Sequence, residues 1–484
     1  MMDTRDSILV AISEASGKYA GRTAMVIEDK SYTYGQLFGR VGQVYRELLH
    51  VESNIIGIVA ENNIETYASI LAVLFVGKTY VMLHPSFPQS RIEQIISEAG
   101  IGYTIDNSRL GKAELKVGVA PEIITSHQYA YIIFTSGSTG KPKGVPISRK
   151  NLNAFYSAYG KLGWHLDEND RMLQMFELTF DVSVVSFLYP LTLGAAVYTV
   201  PSEGFKYLNV LDVMDTYHIT FAAIAPSILR LTRPYFDNIF FPDLKYLIVT
   251  AEATDVSILS DFRICIPHAT VVNLYGPTEA TIYCTSYVIP REHAKHQNGM
   301  AIIGKPFEDM DAMIMDEQGR PVRDGQTGEL WMSGEQVMDG YWHDEANSAT
   351  SLVRYTDGKV YYKTGDICRR DDDGDLYYYG RKDSQVKIQG FRIELGEIEY
   401  QAKQYYGGKS NAVVAPLYME NGLCELHLVI EKEEESTVDL EQYLQLHLPS
   451  YMLPKQIHFM ARFPLNNNGK TDKKRINDII KNNR

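Results

Sequence analysis

Up to about Arg381 the chain alternates short, nearly continuous apolar runs with longer segments whose apolar positions recur at helical spacing. Asn54 to Ala60 is one such run and Tyr67 to Val76 the helical segment after it, the rhythm of β-α units. The pattern predicts a large, multi-lobed α/β domain over residues 1–381. Near Arg381 to Gly390 the sequence GRKDSQVKIQG turns polar and Gly-bounded, which predicts a linker. Beyond it ELGEIEYQAKQYY predicts a helix, and Asn411 to Leu417 and Cys424 to Ile430 predict strands. Residues 382–484 are therefore expected to form a small, mobile C-terminal α+β domain. Val182 to Val200 has no charged residue, but Pro190, Gly194 and four hydroxyl residues predict a buried strand and helix pair, not a membrane span. The acidic runs Asp371 to Asp373 and Glu431 to Glu435 read as solvated loops.

Composition narrows the chemistry. The 484 residues are 45% hydrophobic and 22% charged, enough to bury several lobes. A net charge of -13 disfavours a broad nucleic-acid surface, so any polyphosphate must be held by local residues. Cys265, Cys284, Cys368 and Cys424 lie far apart without metal-ligand spacing and form no disulfide framework. The N-terminus carries early aspartates and only a brief apolar patch, unlike a signal peptide. A cytoplasmic protein without membrane insertion is expected.

The most informative segment follows the apolar run Tyr131 to Phe134: Thr135, Ser136, Gly137, Ser138, Thr139, Gly140, Lys141, Pro142, Lys143 and Gly144. Glycines let the backbone approach an anion, hydroxyls donate to it and lysines neutralise it, which suits a polyphosphate. It is not a Walker loop, because Thr135 stands where the first glycine is required and Pro142 where the magnesium-binding hydroxyl is required.

YIIFTSGSTGKPKGV resembles the phosphate-binding signature of the adenylate-forming superfamily of acyl-CoA synthetases, luciferases, nonribosomal peptide adenylation domains and D-alanine ligases. The other family motifs occur in order: SYTYGQL, NLYGPTEAT from Asn273, GELWMSG, YKTGD, GRKDSQVKIQGFRIELGEIE and NNNGKTDKK. The resemblance implies ATP and Mg²⁺ as cofactors and a two-step, acid-thiol ligase reaction. It implies that Asn273, Tyr275 and Gly276 bind the nucleotide, with the Tyr275 ring stacked on adenine, that Thr278 meets the α-phosphate, and that Glu279 holds Mg²⁺. Asp366, after a glycine turn, would meet the ribose, and Arg381 the ribose or a phosphate. Lys470 would bridge the substrate carboxylate and the α-phosphate. Asp383 would be the hinge, Gly390 would line the pantetheine channel, and Arg392 would approach the phosphate when the small domain rotates.

Phe180-Asp181-Val182 resembles the amino-acid-activating branch, where the aspartate pairs with the substrate ammonium; otherwise Asp181 would be a cap for the following segment. Ungapped counting from the motifs puts the side-chain pocket on Val182, Val185, Ala223, Ile248, Thr250, Leu274, Ile282 and Tyr283, an apolar, bulky lining that favours a small side chain. The D-alanine ligases share several stretches but differ at Thr250 and His84. The expectation is an enzyme that adenylates a small amino acid, D-alanine or similar, and loads a phosphopantetheinylated carrier protein in trans. An L-amino-acid adenylation enzyme and an acyl- or aryl-CoA synthetase are the alternatives.

Overall fold

In the computed structural model Ile55–Val59 is a strand and Ile64–Phe75 the helix after it. The Asn63 side chain accepts from Thr66 N at 2.9 Å and so caps that helix, pairing an amide the helix leaves open. The structure describes residues 6–107, 116–125, 127–136, 142–382, 385–419, 422–464 and 471–482. By contacts the chain divides into two compact units. One comprises Met1–Pro85, Ile96–Ile133 and Gly144–Lys382, the other Ser86–Ile95, Phe134–Lys143 and Asp383–Arg484.

In the larger unit a nine-stranded sheet has at its centre the parallel strands Phe221–Ile224, Tyr246–Thr250 and Thr270–Tyr275. Their register aligns Ala223 with Ile248 and Thr250 with Leu274. Registered neighbours project to the same side of a sheet, and successive residues to opposite sides. Ala223, Ile248, Val272 and Leu274 accordingly enter one core, while Ala222, Leu247, Val249 and Val271 enter another. A mostly parallel five-stranded sheet carries Tyr129–Thr135, the strand that leads into the phosphate loop. An antiparallel sheet holds Thr327–Gly334, Val360–Arg370 and Leu376–Arg381.

The smaller unit is built on the three-stranded sheet Ala412–Tyr418, Cys424–Glu431 and Gln456–Met460. Val414 and Leu428 face a core shared with Ile398 and Leu440. Val413 and Val429 face the opposite way, onto Ile476 and Ile480 of the last helix.

Several expectations change. Val182 to Val200 does pair a helix, Asp181–Leu193, with a strand, Ala196–Thr199. The polar segment read as a linker instead contains the strand Gln385–Ile388, paired with Phe391–Glu394. Gln385 and Val386 are buried there, and Lys387 and Ile388 half-buried. Gln389 and Gly390 connect the strands with φ of 51° and 84°, as a tight hairpin turn requires. The acidic runs are anchored rather than freely solvated. Lys295 Nζ reaches Asp371 at 2.9 Å and Asp373 at 2.7 Å, while Glu431 accepts from Phe463 N at 2.8 Å and Glu435 from the Tyr406 hydroxyl at 2.7 Å.

Candidate functional site

Asp181 is 8% exposed and opens the helix Asp181–Leu193. Phe180 holds the cap position, and Asp181 is the first residue of the helix rather than its cap. Its carboxylate sits in the first turn, where the helix dipole favours negative charge. Two wholly buried phenols feel that charge. Burial drives the Tyr131 and Tyr283 hydroxyls up from their ordinary pKa, and the Asp181 carboxylate adds to the effect on each. The Thr250 hydroxyl pulls Tyr283 the other way.

Every counted pocket position is buried: Val182, Val185, Ala223, Ile248, Thr250, Leu274, Ile282 and Tyr283. Sheet register puts Ala223, Ile248, Thr250 and Leu274 on one face. Val185, Ala223 and Tyr283 border a void of about 10 Å³, together with Tyr159, Ser186 and Phe221. That is room for one water-sized group.

A second cluster lies at Tyr275. This residue is 9% exposed, and its hydroxyl donates to Asp366, which also receives Arg381 Nη1 at 3.1 Å. Arg381 donates as well to Thr364 O at 2.9 Å, and Asp366 N to the Thr364 hydroxyl at 3.0 Å. Tyr275 and Arg381 thus both meet Asp366. Gly365, read as a turn, has φ 73° inside the strand Val360–Arg370, within the stretch where the ladder with Thr327–Gly334 slips register. Asn273 is buried and donates its amide to Ile302 O at 2.8 Å, so that donor serves the fold. Gly276 is required by close approach, since a Cβ there would lie 2.5 Å from Ile282 O.

Thr278 begins the short 3-10 turn Thr278–Ala280 and is half-buried, whereas Glu279 is wholly buried. The Tyr341 hydroxyl donates to Glu279 Oε1 at 2.8 Å. A hard oxygen ligand of this kind is what Mg²⁺ takes.

Of the phosphate loop, Thr135, Ser136 and Lys143 are described. The Thr135 hydroxyl donates to Lys143 O at 3.4 Å. The Ser136 hydroxyl donates to Arg392 O at 3.1 Å and accepts from Glu394 N at 3.0 Å, so its one proton is in use. Gly137, Ser138, Thr139, Gly140 and Lys141 lie outside the described residues, as do Asp383 and Lys470. Gly390 forms the hairpin turn, and half-buried Arg392 pairs with Lys387 across that hairpin.

A family model, AMP-binding enzyme, matches residues 12–342. The chain belongs to the AMP-binding enzyme family. A linear gramicidin synthase of Brevibacillus parabrevis is 32% identical over 480 residues, covering 94% of this chain but 9% of the synthase. The chain thus spans under a tenth of that relative. The Vibrio cholerae adenylation domain AlmE, solved in complex with glycyl-adenosine-5'-phosphate, superposes with TM-score 0.89 at 24% identity, over 100% of this chain and 99% of its own. Holo-PA1221, described as a nonribosomal peptide synthetase protein containing adenylation and carrier domains, gives TM-score 0.82 at 22% identity, over 97% and 83%.

As a member of the AMP-binding family the chain is an adenylate-forming enzyme of ligase type that uses ATP with Mg²⁺. The α/β fold agrees with the adenylation-domain structures. Among the described residues no helix is long and apolar enough to cross a membrane. Sequence reasoning missed Tyr159, Ser186 and Phe221 around the void, and Tyr341 at Glu279. The first three sit in apolar runs that read as core, and Tyr341 follows a glycine in a segment assigned no chemistry; no local signal marks any of them.

Proposed function

We propose that the chain adenylates an amino acid of glycine or alanine size and passes it to the phosphopantetheine thiol of a carrier protein. In the first step a carboxylate oxygen attacks the α-phosphorus of ATP and pyrophosphate leaves. In the second a thiolate attacks the acyl carbon and AMP leaves. Asp181 carries the reading: it is buried in the first turn of the helix Asp181–Leu193, at the position where the resemblance to the amino-acid-activating branch puts the aspartate that meets the substrate α-ammonium. The void bordered by Tyr159, Phe221 and Tyr283 supports a side chain no larger than a methyl. AlmE, whose structure holds a glycyl adenylate, offers a parallel of that size.

Glu279 would hold Mg²⁺, which supplies neutralising charge at the phosphates as pyrophosphate departs. Thr278, Thr135 and Ser136 would donate to phosphate oxygens, with Ser136 first giving up Arg392 O. Asp366, oriented by Arg381 and Tyr275, would accept from the ribose hydroxyls. Lys470 keeps the role that the family resemblance gives it.

Amino-acid-dependent pyrophosphate exchange tests the reading, using glycine, both alanines, serine, valine and propionate, with the carrier supplied separately for loading. Glycine or an alanine should lead, and propionate should be inert. Asp181→Ala should lose two to three orders of magnitude, the effect of the about 3–5 kcal/mol that a broken buried pair costs, while still binding ATP. Preference for valine would overturn the size assignment. Turnover of propionate equal to alanine would favour an acyl-CoA synthetase.

A further inference from the structure

We infer that Tyr341 is a positioning residue that fixes the Glu279 carboxylate for Mg²⁺. This rests on the reading of Glu279 as the metal ligand. Glu279 is 0% exposed, so its orientation is set by protein groups and not by solvent. The Tyr341 phenol reaches Oε1 at 2.8 Å, and Met338 N donates to the Glu279 carbonyl at 2.9 Å. Side chain and backbone of Glu279 are therefore both held by Met338–Tyr341. A neutral phenol donating to a carboxylate fixes its plane without neutralising its charge, which leaves the carboxylate able to bind a cation.

Tyr341 is in turn well anchored. Its own N–H donates to the Ser348 hydroxyl at 2.8 Å, which donates to Asp344 O at 2.6 Å. The next residue, Trp342, donates its N–H to Gly144 O at 2.8 Å, at the end of the phosphate-loop sequence. Tyr341 also borders a hollow of about 540 Å³ walled by Tyr129, Pro146 and Trp342. The arrangement is that of an outer-sphere ligand partner, whose loss typically costs metal affinity about 10- to 100-fold.

The test compares wild type with Tyr341→Phe, Glu279→Gln and His343→Ala. His343 is an exposed residue on the rim of the same hollow. Two quantities are read: Mn²⁺ bound with a non-hydrolysable ATP analogue, by electron paramagnetic resonance without amino acid, and the half-saturating Mg²⁺ in pyrophosphate exchange. Tyr341→Phe should weaken the metal about 10-fold or more in both, leave the amino-acid KM unchanged, and still unfold cooperatively from a folded state well above the assay temperature. Glu279→Gln should weaken it further, and His343→Ala should not. If Glu279→Gln weakens the metal while Tyr341→Phe matches wild type, the positioning role is wrong. If His343→Ala copies Tyr341→Phe, distortion of the rim explains the effect and the inference fails. Wild-type metal binding by Glu279→Gln would overturn the Glu279 reading itself, and the inference with it.

Discussion

Glu177 shows how one carboxyl is pulled in two directions. Burial pushes its pKa up, while a hydrogen bond from His84 and the Lys206 ammonium at 2.8 Å pull it down further, to about 2. A carboxyl whose folded pKa is depressed adds stability in full above its ordinary pKa and loses it as the pH falls towards the folded value. Lys206→Met should therefore destabilise the protein near about pH 7, with the deficit shrinking below about pH 4. Lys206 and Glu177 are both more than a third exposed, so screening keeps the cost under about 1 kcal/mol. Denaturant melts of both proteins across pH check this; a deficit that grows on acidification would contradict it.

At the scale of elements, the segment Gln336–Tyr341 organises the site. Gln336 Nε2 donates to Tyr283 O at 2.7 Å and Ala280 O at 3.3 Å, and Thr281 Oγ1 donates back to Gln336 O at 2.5 Å. These bonds hold Thr281 and Ile282 at φ of 56° and 71°, a region β-branched residues avoid. Gln336→Leu would leave two buried carbonyls without that donor and should cost about 2–4 kcal/mol. The amino-acid KM should rise more than the ATP KM, because the loop carries Ile282 and Tyr283. Equal rises in both would assign Gln336 to the fold alone. Such support is illegible in sequence: Gln336 and Thr281 lie 55 residues apart, and nothing local marks Thr281-Ile282 for left-handed backbone. The β-α rhythm was legible because it is written in consecutive residues. The hairpin at residues 385–394 was written there too, in Val386 and Ile388, then Phe391 and Ile393, alternating with polar residues, but each run is only four residues long and the polar, Gly-bounded composition around it read as a linker.

The whole molecule has more than one core. Ile398, wholly buried among Ile393, Leu428 and Leu440, belongs to the smaller unit, whereas Ile248 and Leu71 belong to the larger. Calorimetry should therefore resolve more than one unfolding transition. Ile398→Ala, at about 2–5 kcal/mol, should lower only one of them. A single transition that moves as a whole would mean that the two cores unfold as one.

The central strands of the large sheet give this protein a division of labour for change over generations. Ala223, Ile248 and Leu274, positions of the proposed pocket, enter one core, while their immediate neighbours Ala222, Leu247 and Val249 enter the opposite one. A substitution at every second position can redraw what the enzyme accepts, while the alternate positions keep the sheet buried on its far side. Selection for a new substrate and selection for a durable scaffold thus act on interleaved residues of the same strands, and a descendant can drift in diet without first losing its shape.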